Sequence, residues 1–169
     1  MARSFDVSTE TSAGVAAVLS AFAERDYWTA RLAAYGGDSM NLDDLTVADD
    51  GTVVVRTTQD IRQDMLPGGI ARMLPGDTMI TRTETWHPGT DDTDARGEFT
   101  IAARGVPSSG SGTMTLQPAG TGSSLRVRGT LEVRIPIIGG QIERFVADLI
   151  AKEVPQMQQF TAEWIDGKA

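Results

Sequence analysis

The sequence predicts an α+β fold in which a curved antiparallel sheet of about seven strands wraps around a long C-terminal helix. Apolar and polar residues alternate through most of residues 40–135, which is typical of strands with one face in the core and one in water. Turn-forming residues such as Asp49-Asp50-Gly51 separate these segments at short intervals. From Ile142 to Trp164 the apolar residues instead recur at spacings of three and four. That spacing indicates an amphipathic helix of about seven turns at 3.6 residues per turn.

The chain opens with a predicted strand over residues 3–8 and two short helices, over 13–22 and 25–35. A serine precedes the first helix as a candidate cap, and a pair of glycines ends the second. Further strands, bounded by Gly, Pro, Ser and Asp turns, are predicted over 40–48, 52–64, 78–87, 94–104, 112–117 and 124–135.

Two further features concern a loop between two predicted strands and the last helix. Residues 66–74 are apolar, interrupted by glycine and bordered by prolines, so they form either a flap over a cavity mouth or a hydrophobic loop pinned to the core. Pro155 lies inside the last helix, where proline removes a backbone donor, and we expect a kink there. We expect residues 141–150 to face a cavity. We expect residues 157–164 to pack on the closed end of the sheet and on the two short helices.

A length of 169 residues fits one domain, and a core of this size is stable without cross-links, so we expect residues 1–169 to form a single domain. The sequence has no cysteine, which excludes disulfides and thiolate metal sites and suits a reducing cytoplasm. The net charge of −8 argues against nucleic acid or an anionic membrane as a standing partner, because both require clustered Lys and Arg.

An apolar run over residues 13–23 imitates the core of a signal peptide but lacks the positive flank that a signal requires. We therefore expect a buried helix at this position. No stretch approaches the roughly 18 apolar residues of a membrane span. Together these observations predict a cytoplasmic protein without stable membrane insertion; they leave the oligomeric state open.

The faces of the predicted strands differ in character. The last strand alternates apolar residues with charged ones, which predicts a core face and a solvated face. In the strand over 78–87 we place the charged residues Arg82 and Glu84 on the outer face. The inward positions of this strand and its predecessor are then unusually polar: Thr57, Gln59, Met79, Thr81, Thr83, Thr85 and His87. Inward Thr and Gln require partners in each other, in water or in a ligand, and a cavity with a few polar groups is the usual form of a small-molecule site.

Gly97 and Gly129 interrupt the inward rows of two strands. Glycine at such positions either bends a strand or makes room for a bulky neighbour, and the two roles are compatible.

A more specific pattern runs through both ends of the chain. Its residues are Phe5-Asp-Val, Tyr27-Trp28, Arg134-Ile-Pro-Ile-Ile-Gly-Gly-Gln-Ile-Glu143, Phe145–Ile150 and Phe160-Thr-Ala-Glu-Trp164. With the order of elements, this pattern resembles an uncharacterised, largely actinobacterial family of the START-like (SRPBCC) superfamily. This superfamily has the helix-grip fold and includes the polyketide cyclase and lipid-transport group. The resemblance covers nearly the whole chain and implies a cavity between sheet and last helix for lipids, sterols, polyketides or hormones. It implies no shared catalytic residue set.

The sequence offers little for catalysis. His87 is the only histidine, no Gly-x-Ser-x-Gly elbow is present, and one His without Cys makes a zinc site improbable. The runs Asp43-Asp44, Asp49-Asp50 and Asp91-Asp92 do not have the spacing of a calcium loop. We therefore predict no metal, no cofactor and no catalytic residue.

The leading hypothesis is the non-catalytic binding or transport of a small hydrophobic or amphipathic molecule, such as a lipid, in an internal cavity between the sheet and the C-terminal helix. Its body is expected to be neutral or weakly polar, because the inward face carries no charge except His87 in this interpretation. The predicted lining is Gln59, Met79, Thr81, Thr83, Phe99, Ile101, Met114, Val127, Leu131, Phe145 and Leu149.

Two alternatives stay open. One is an enzyme of the polyketide cyclase or aromatase type, which requires a proton-transfer group in the cavity; His87, Tyr27 and Tyr35 are the candidates. The other is a regulatory protein-interaction module, which requires a contiguous apolar patch on the surface.

Overall fold

The computed structural model describes residues 2–61, 66, 68–72, 74, 78–91 and 93–167. Within these residues the strands are β1 (Arg3–Thr11), β2 (Met40–Val47), β3 (Val53–Asp60), β4 (Met79–Pro88), β5 (Ala95–Arg104), β6 (Ser108–Ala119) and β7 (Gly122–Val133). The helices are α1 (Val15–Phe22), α2 (Arg25–Gly36), α3 (Gly68–Ala71) and α4 (Gly139–Ile165), with a 3₁₀ turn over Gly37–Ser39. The predicted continuation of β3 over residues 62–64 lies outside the described residues.

All of these strands form one antiparallel sheet in the order β1-β7-β6-β5-β4-β3-β2. Because β1 pairs with β7, the first and last strands of the chain lie side by side, and α4 packs on these two strands. The predicted α+β fold, a curved antiparallel sheet with a long C-terminal helix, is confirmed. Among the described residues, no helix is long and apolar enough to cross a membrane.

The structure corrects one turn. The predicted strands over 94–104 and 112–117 leave the Ser-Gly residues between them outside the sheet, but residues 108–112 are the start of β6 and pair with residues 129–133 of β7. The turn lies earlier, where Gly105 has a φ of 87°. Gly129 of β7, which pairs with Gly112, lies in a crowded part of the sheet: a Cβ on Gly129 would lie 2.7 Å from the ring of Phe5 and 2.9 Å from that of Phe99. The glycine makes room for these rings, as one of the two predicted roles requires.

The main core lies between the sheet, α1, α2 and the end of α4. Trp86 and Leu116 of the sheet are fully buried. The ring of Trp86 lies 5.3 Å from that of Phe22, which in turn lies 5.6 Å from the ring of Tyr27. Tyr27 also lies 6.0 Å from Trp164 of α4. The C-terminal part of α4 therefore packs on α2, as predicted.

A second apolar cluster closes the opposite end of α4. Ile70 of α3 packs with Ile138 and Ile142, and Leu66 and Leu74 lie against the same cluster. The described residues of the 66–74 segment thus favour the pinned loop over the flap.

The register of β4 overturns the predicted orientation of this strand. Trp86 is 2% exposed and Glu84 is 5% exposed, and they pair with the buried residues Val53 and Val55 of β3. Side chains alternate along a strand, so Arg82 shares this inward face. The inward-pointing residues are therefore those of even number, and the predicted inward set of β4 lies on the outer face: Met79, Thr81, Thr83, Thr85 and His87. The charges of Arg82 and Glu84 predicted the wrong face, because burial of Trp86 outweighs them in setting the register.

Candidate functional site

A small pocket lies between α2, α4 and strands β2 to β4. Its volume is about 40 Å³, which holds a few waters or one small polar group, since a water needs roughly 10–15 Å³. The lining residues are Trp28, Arg31, Leu32, Tyr35, Met40, Thr57, Arg82, Glu84 and Met157. The pocket thus combines apolar side chains with two arginines and one glutamate.

Arg82 and Glu84 form an ion pair on the concave face of β4. The Nη2 atom of Arg82 donates to Oε1 of Glu84 over 2.7 Å, and the Glu84 side chain is only 7% exposed. The guanidinium of Arg82 lies 5.5 Å from the ring centre of Phe99. Its Nε atom is buried and has no hydrogen-bond partner among the described residues. A buried ionic group without full pairing is costly, so this atom is a place where an acceptor would be stabilising.

Arg31 of α2 is buried beside the same pocket and heads a chain of hydrogen bonds into α4. Its Nη1 donates to the hydroxyl of Tyr27 over 3.2 Å, and that hydroxyl lies 2.6 Å from the hydroxyl of Thr161. Thr161 donates its proton to the carbonyl of Met157 over 2.8 Å. Tyr27 therefore donates to Thr161 and accepts from Arg31, which fixes every proton in the chain.

The second terminal nitrogen of Arg31 has a weaker partner. Its Nη2 lies 3.0 Å from the sulfur of Met157, and a thioether accepts hydrogen bonds poorly. The guanidinium also lies 4.8 Å from the ring centre of Trp28, in a cation–π contact. These contacts hold Arg31 in place without satisfying all of its donors.

Two further ionisable groups border the pocket. The hydroxyl of Tyr35 donates to the carbonyl of Gln156 over 2.8 Å, and burial raises the pKa of Tyr35 against the opposing effect of Arg31. Burial also raises the pKa of Glu153, a half-buried residue of α4, although the positive charges of Arg82 and Arg31 act in the other direction. Glu153 thus binds a proton more readily than an exposed glutamate does.

Beyond the pocket, the inward residues of β3, β4 and β5 form a row along the concave face of the sheet. The inward residues of β3, β4 and β5 at this end are half-buried, unlike the core residues further along the same strands. Phe145 and Leu149 lie on the flank of α4 that also carries Glu153, at a spacing of four residues. We call the following set the β3–β5 groove: Gln59, Ile80, Ile101 and Ala103 of the sheet, with Phe145 and Leu149 of α4.

The predicted lining residues separate into three groups. Gln59 and Ile101 face inward and are half-buried, in the groove. Four residues face inward but are buried in the packed interior: Phe99, Met114, Val127 and Leu131. Phe145 and Leu149 of α4 belong with the first group, in the groove: Phe145 also packs on the second apolar cluster, and Leu149 is 36% exposed.

The third group contradicts the prediction. Met79, Thr81 and Thr83 point to the outer face, because they have the opposite parity to Trp86 on β4. The inward face is also charged rather than neutral, since Arg82 and Glu84 lie there. Arg31, Arg82 and Glu84 were not predicted from the sequence as site residues. Arg82 and Glu84 could have been found from Trp86, the one large aromatic residue of β4, because residues two and four positions away from it share its face of the strand.

Of the three candidates for proton transfer, Tyr35 lines the pocket, whereas His87 and Tyr27 do not. His87 is exposed on the outer face, with its Nε2 atom 3.2 Å from Oε1 of Glu98. Tyr27 is fully buried and engaged in the chain described above, and the hydroxyl of Tyr35 is bonded to Gln156. In the part of the chain that the structure describes, no three His, Asp or Glu residues are close enough to hold a metal ion.

Large apolar side chains are exposed at few positions of the described chain. They are Val47, Ile137 and Leu149. Val47 lies at the end of the sheet opposite to Ile137, so these residues do not form one patch.

Comparison with known proteins places the chain in a family. A family described as a protein of unknown function, DUF2505, matches residues 6–165. The chain belongs to this family. An uncharacterized protein of Mycobacterium tuberculosis (strain H37Rv) is 37% identical over 172 residues, covering 98% of each chain. This relative agrees with the predicted actinobacterial family.

Solved structures confirm the START-like fold of this DUF2505 protein. A START superfamily protein from Mycobacterium smegmatis has a TM-score of 0.55 at 9% identity, covering 98% of this chain and 99% of the other. Norcoclaurine synthase from Thalictrum flavum, solved in complex with dopamine and hydroxybenzaldehyde, has a TM-score of 0.51 at 12% identity. That match covers 100% of this chain and 89% of the synthase. At these identities the likeness concerns the fold alone.

Proposed function

We propose that this protein binds or transports a small amphipathic molecule without reacting it. The apolar body of the ligand lies in the β3–β5 groove, between the sheet and α4, and its polar end reaches the pocket beside Arg31 and Arg82. In this proposal residues 1–169 act as one domain in the cytoplasm.

The observation that carries the proposal is the uneven filling of the concave face. Near α1 and α2 the inward residues are packed, with Trp86 and Met114 both 2% exposed. Along β3 to β5 the inward residues Ile80 and Ile101 are half-buried, and next to them lies the guanidinium of Arg82, whose buried Nε has no hydrogen-bond partner among the described residues. An apolar channel with a few polar groups at one end is the usual form of a small-molecule site.

The fold supports the same location by analogy. Norcoclaurine synthase, which shares the fold, was solved with two small aromatic molecules bound. The analogy favours ligand binding, whereas the kind of ligand has to be inferred from the residues of this chain. Those residues differ from a purely apolar lining, so of the two kinds of ligand that the sequence predicts, hydrophobic or amphipathic, we infer the amphipathic one.

The enzymatic alternative has less support. His87 lies on the face away from the groove, and the hydroxyls of Tyr27 and Tyr35 are engaged with Thr161 and Gln156. A general acid or base must reach its substrate within hydrogen-bond distance.

The test uses the neutral dye Nile red, whose fluorescence rises in apolar surroundings, together with native mass spectrometry of the freshly purified protein. Ala103 and Ala102 are neighbours on β5, but Ala103 points into the groove and Ala102 is exposed on the outer face. Ala103→Trp fills the groove and is expected to weaken Nile red binding at least tenfold. Ala102→Trp adds the same side chain outside and is expected to change binding by less than twofold.

Equal effects of the two tryptophans would contradict the proposed location. Absence of Nile red binding, together with a mass spectrum that contains no co-purified small molecule, would refute the proposed function itself.

A further inference from the structure

The two arginines of the pocket have more hydrogen-bond donors than the surrounding residues satisfy. Arg82 uses Nη2 for Glu84, while its buried Nε has no partner among the described residues. Arg31 gives Nη1 to Tyr27 and offers Nη2 only to the sulfur of Met157. Arg31 is buried as a whole, whereas the Arg82 side chain is 31% exposed and only its Nε is buried. Buried donors of this kind are normally paired with carboxylates or other strong acceptors, so both arginines point to an acceptor that the described residues do not supply.

The charges around the pocket are also unbalanced. Two guanidinium groups line it, whereas Glu84 is the carboxylate that contacts one of them. Glu153 does not line the pocket; it lies on α4, and its burial raises its pKa although the positive charges of Arg82 and Arg31 act in the other direction. The local excess of positive charge contrasts with the net charge of −8 for the whole chain. An anion is therefore attracted to this pocket although the protein as a whole repels anions.

Resting on the proposed function, we infer that the ligand is an organic acid, whose carboxylate occupies the pocket and accepts hydrogen bonds from Arg82 and Arg31. Arginine recognises carboxylates through its planar fork of donors. The pocket volume of about 40 Å³ suits a group of carboxylate size. The apolar remainder of the acid then lies along Ile80, Ile101 and Leu149 in the groove.

The inference is tested by competition with bound Nile red at pH 7. Three probes carry the same ten-carbon chain and differ only in the head group: decanoate, 1-decanol and decylamine. Decanoate is expected to displace the dye at a concentration at least about tenfold lower than decanol, since a hydrogen bond between charged groups is worth a factor of this size. Decylamine is expected to be the weakest of the three.

Variants of the ion pair separate a binding role from a structural one. Arg82→Gln is expected to remove the preference for decanoate over decanol. Arg82→Lys keeps the positive charge and serves as a second variant if Arg82→Gln does not fold; it is expected to reduce the preference. Glu84→Gln removes the competing carboxylate and is expected to increase the preference at least threefold. If the ion pair has only a structural role, the Arg82 and Glu84 variants will both lower the preference for decanoate. Arg56→Gln is the matched control, because Arg56 lies next to Thr57 on β3 but is exposed on the outer face.

The outcomes distinguish this inference from the proposed function. If Nile red binds and all three probes displace it equally, the groove binds apolar molecules and the assignment of an organic acid is wrong. Stronger displacement by decylamine, or an equal loss of preference in the Arg56 and Arg82 variants, would also overturn it. If neither the dye nor any probe binds, both the inference and the proposed function fail.

Discussion

Tyr27 is the residue whose hydroxyl most directly links α2, α4 and the pocket, and its removal is the most informative single test of the interior. In Tyr27→Phe the ring and its aromatic contacts are retained, whereas two hydrogen bonds are lost, one to Thr161 over 2.6 Å and one from Arg31 over 3.2 Å. Thr161 keeps its bond to the carbonyl of Met157, but the Nη1 of Arg31 is left without this acceptor in the interior.

The magnitude follows from these losses. An ordinary buried hydrogen bond contributes about 1 kcal/mol, and an unsatisfied buried donor costs about 1–3 kcal/mol. We expect Tyr27→Phe to lower the free energy of unfolding by about 2–4 kcal/mol. Tyr35→Phe is the matched control on the same helix. Its hydroxyl donates to the carbonyl of Gln156 at a site open to water, so we expect a loss below about 1 kcal/mol.

Urea unfolding monitored by circular dichroism measures both variants, with the midpoint shift interpreted only if the m-value is unchanged. A loss in Tyr27→Phe no larger than that in Tyr35→Phe would refute the hydrogen-bonded chain as a stabilising unit.

Three further predictions concern other parts of the chain. Trp28 donates its indole N–H to the carbonyl of Phe22 over 2.7 Å, whereas the equally buried Trp86 has no such partner among the described residues. In urea unfolding, Trp28→Phe is therefore expected to cost about 1–2 kcal/mol more than Trp86→Phe, and equal costs would contradict this. Ile137 has a φ of 75° and is 95% exposed, so Ile137→Gly is expected to raise the stability by up to about 1 kcal/mol in thermal unfolding, with Ile137→Val unchanged. For Glu153 the folded-state pKa is raised, so the native state binds more protons between the ordinary and the raised pKa, and stability falls as the pH rises through this window. Glu153→Gln is expected to flatten that decline and to raise stability at pH 7; a decline of unchanged slope in urea titrations at several pH values would show that another group causes it.

Much of the fold was predictable because its signals are local. The period of two in residues 40–135 and the spacing of three and four after Ile142 depend only on near neighbours, and they located the sheet and α4. The start of β6 was not predictable in this way. Its Ser-Gly composition is typical of a loop, but Gly110 and Gly112 belong to the ladder, opposite Ile101 and Phe99 of β5.

The site was harder to predict because it depends on which face of β4 is buried. Arg82 and Glu84 alternate with threonines, and local composition assigns charged residues to water. Only the tertiary position of Trp86, packed against Phe22, decides otherwise. Arg31 was missed for a related reason, since its partners Tyr27 and Met157 are brought to it by the packing of α2 on α4. Charged residues inside the fold are exceptions to the binary pattern, and such exceptions occur most often at functional sites.

The most direct test of the account is an NMR measurement of where the chain of a bound ligand lies. The protein is labelled at the methyl groups of Ile and Thr, and intermolecular nuclear Overhauser effects are recorded with decanoate. We predict contacts from the decanoate chain to the methyl groups of Ile80 and Ile101, which face the groove. Contacts to Thr81 and Thr83 on the outer face instead, or to neither pair at saturating decanoate, would contradict a ligand site between the sheet and α4.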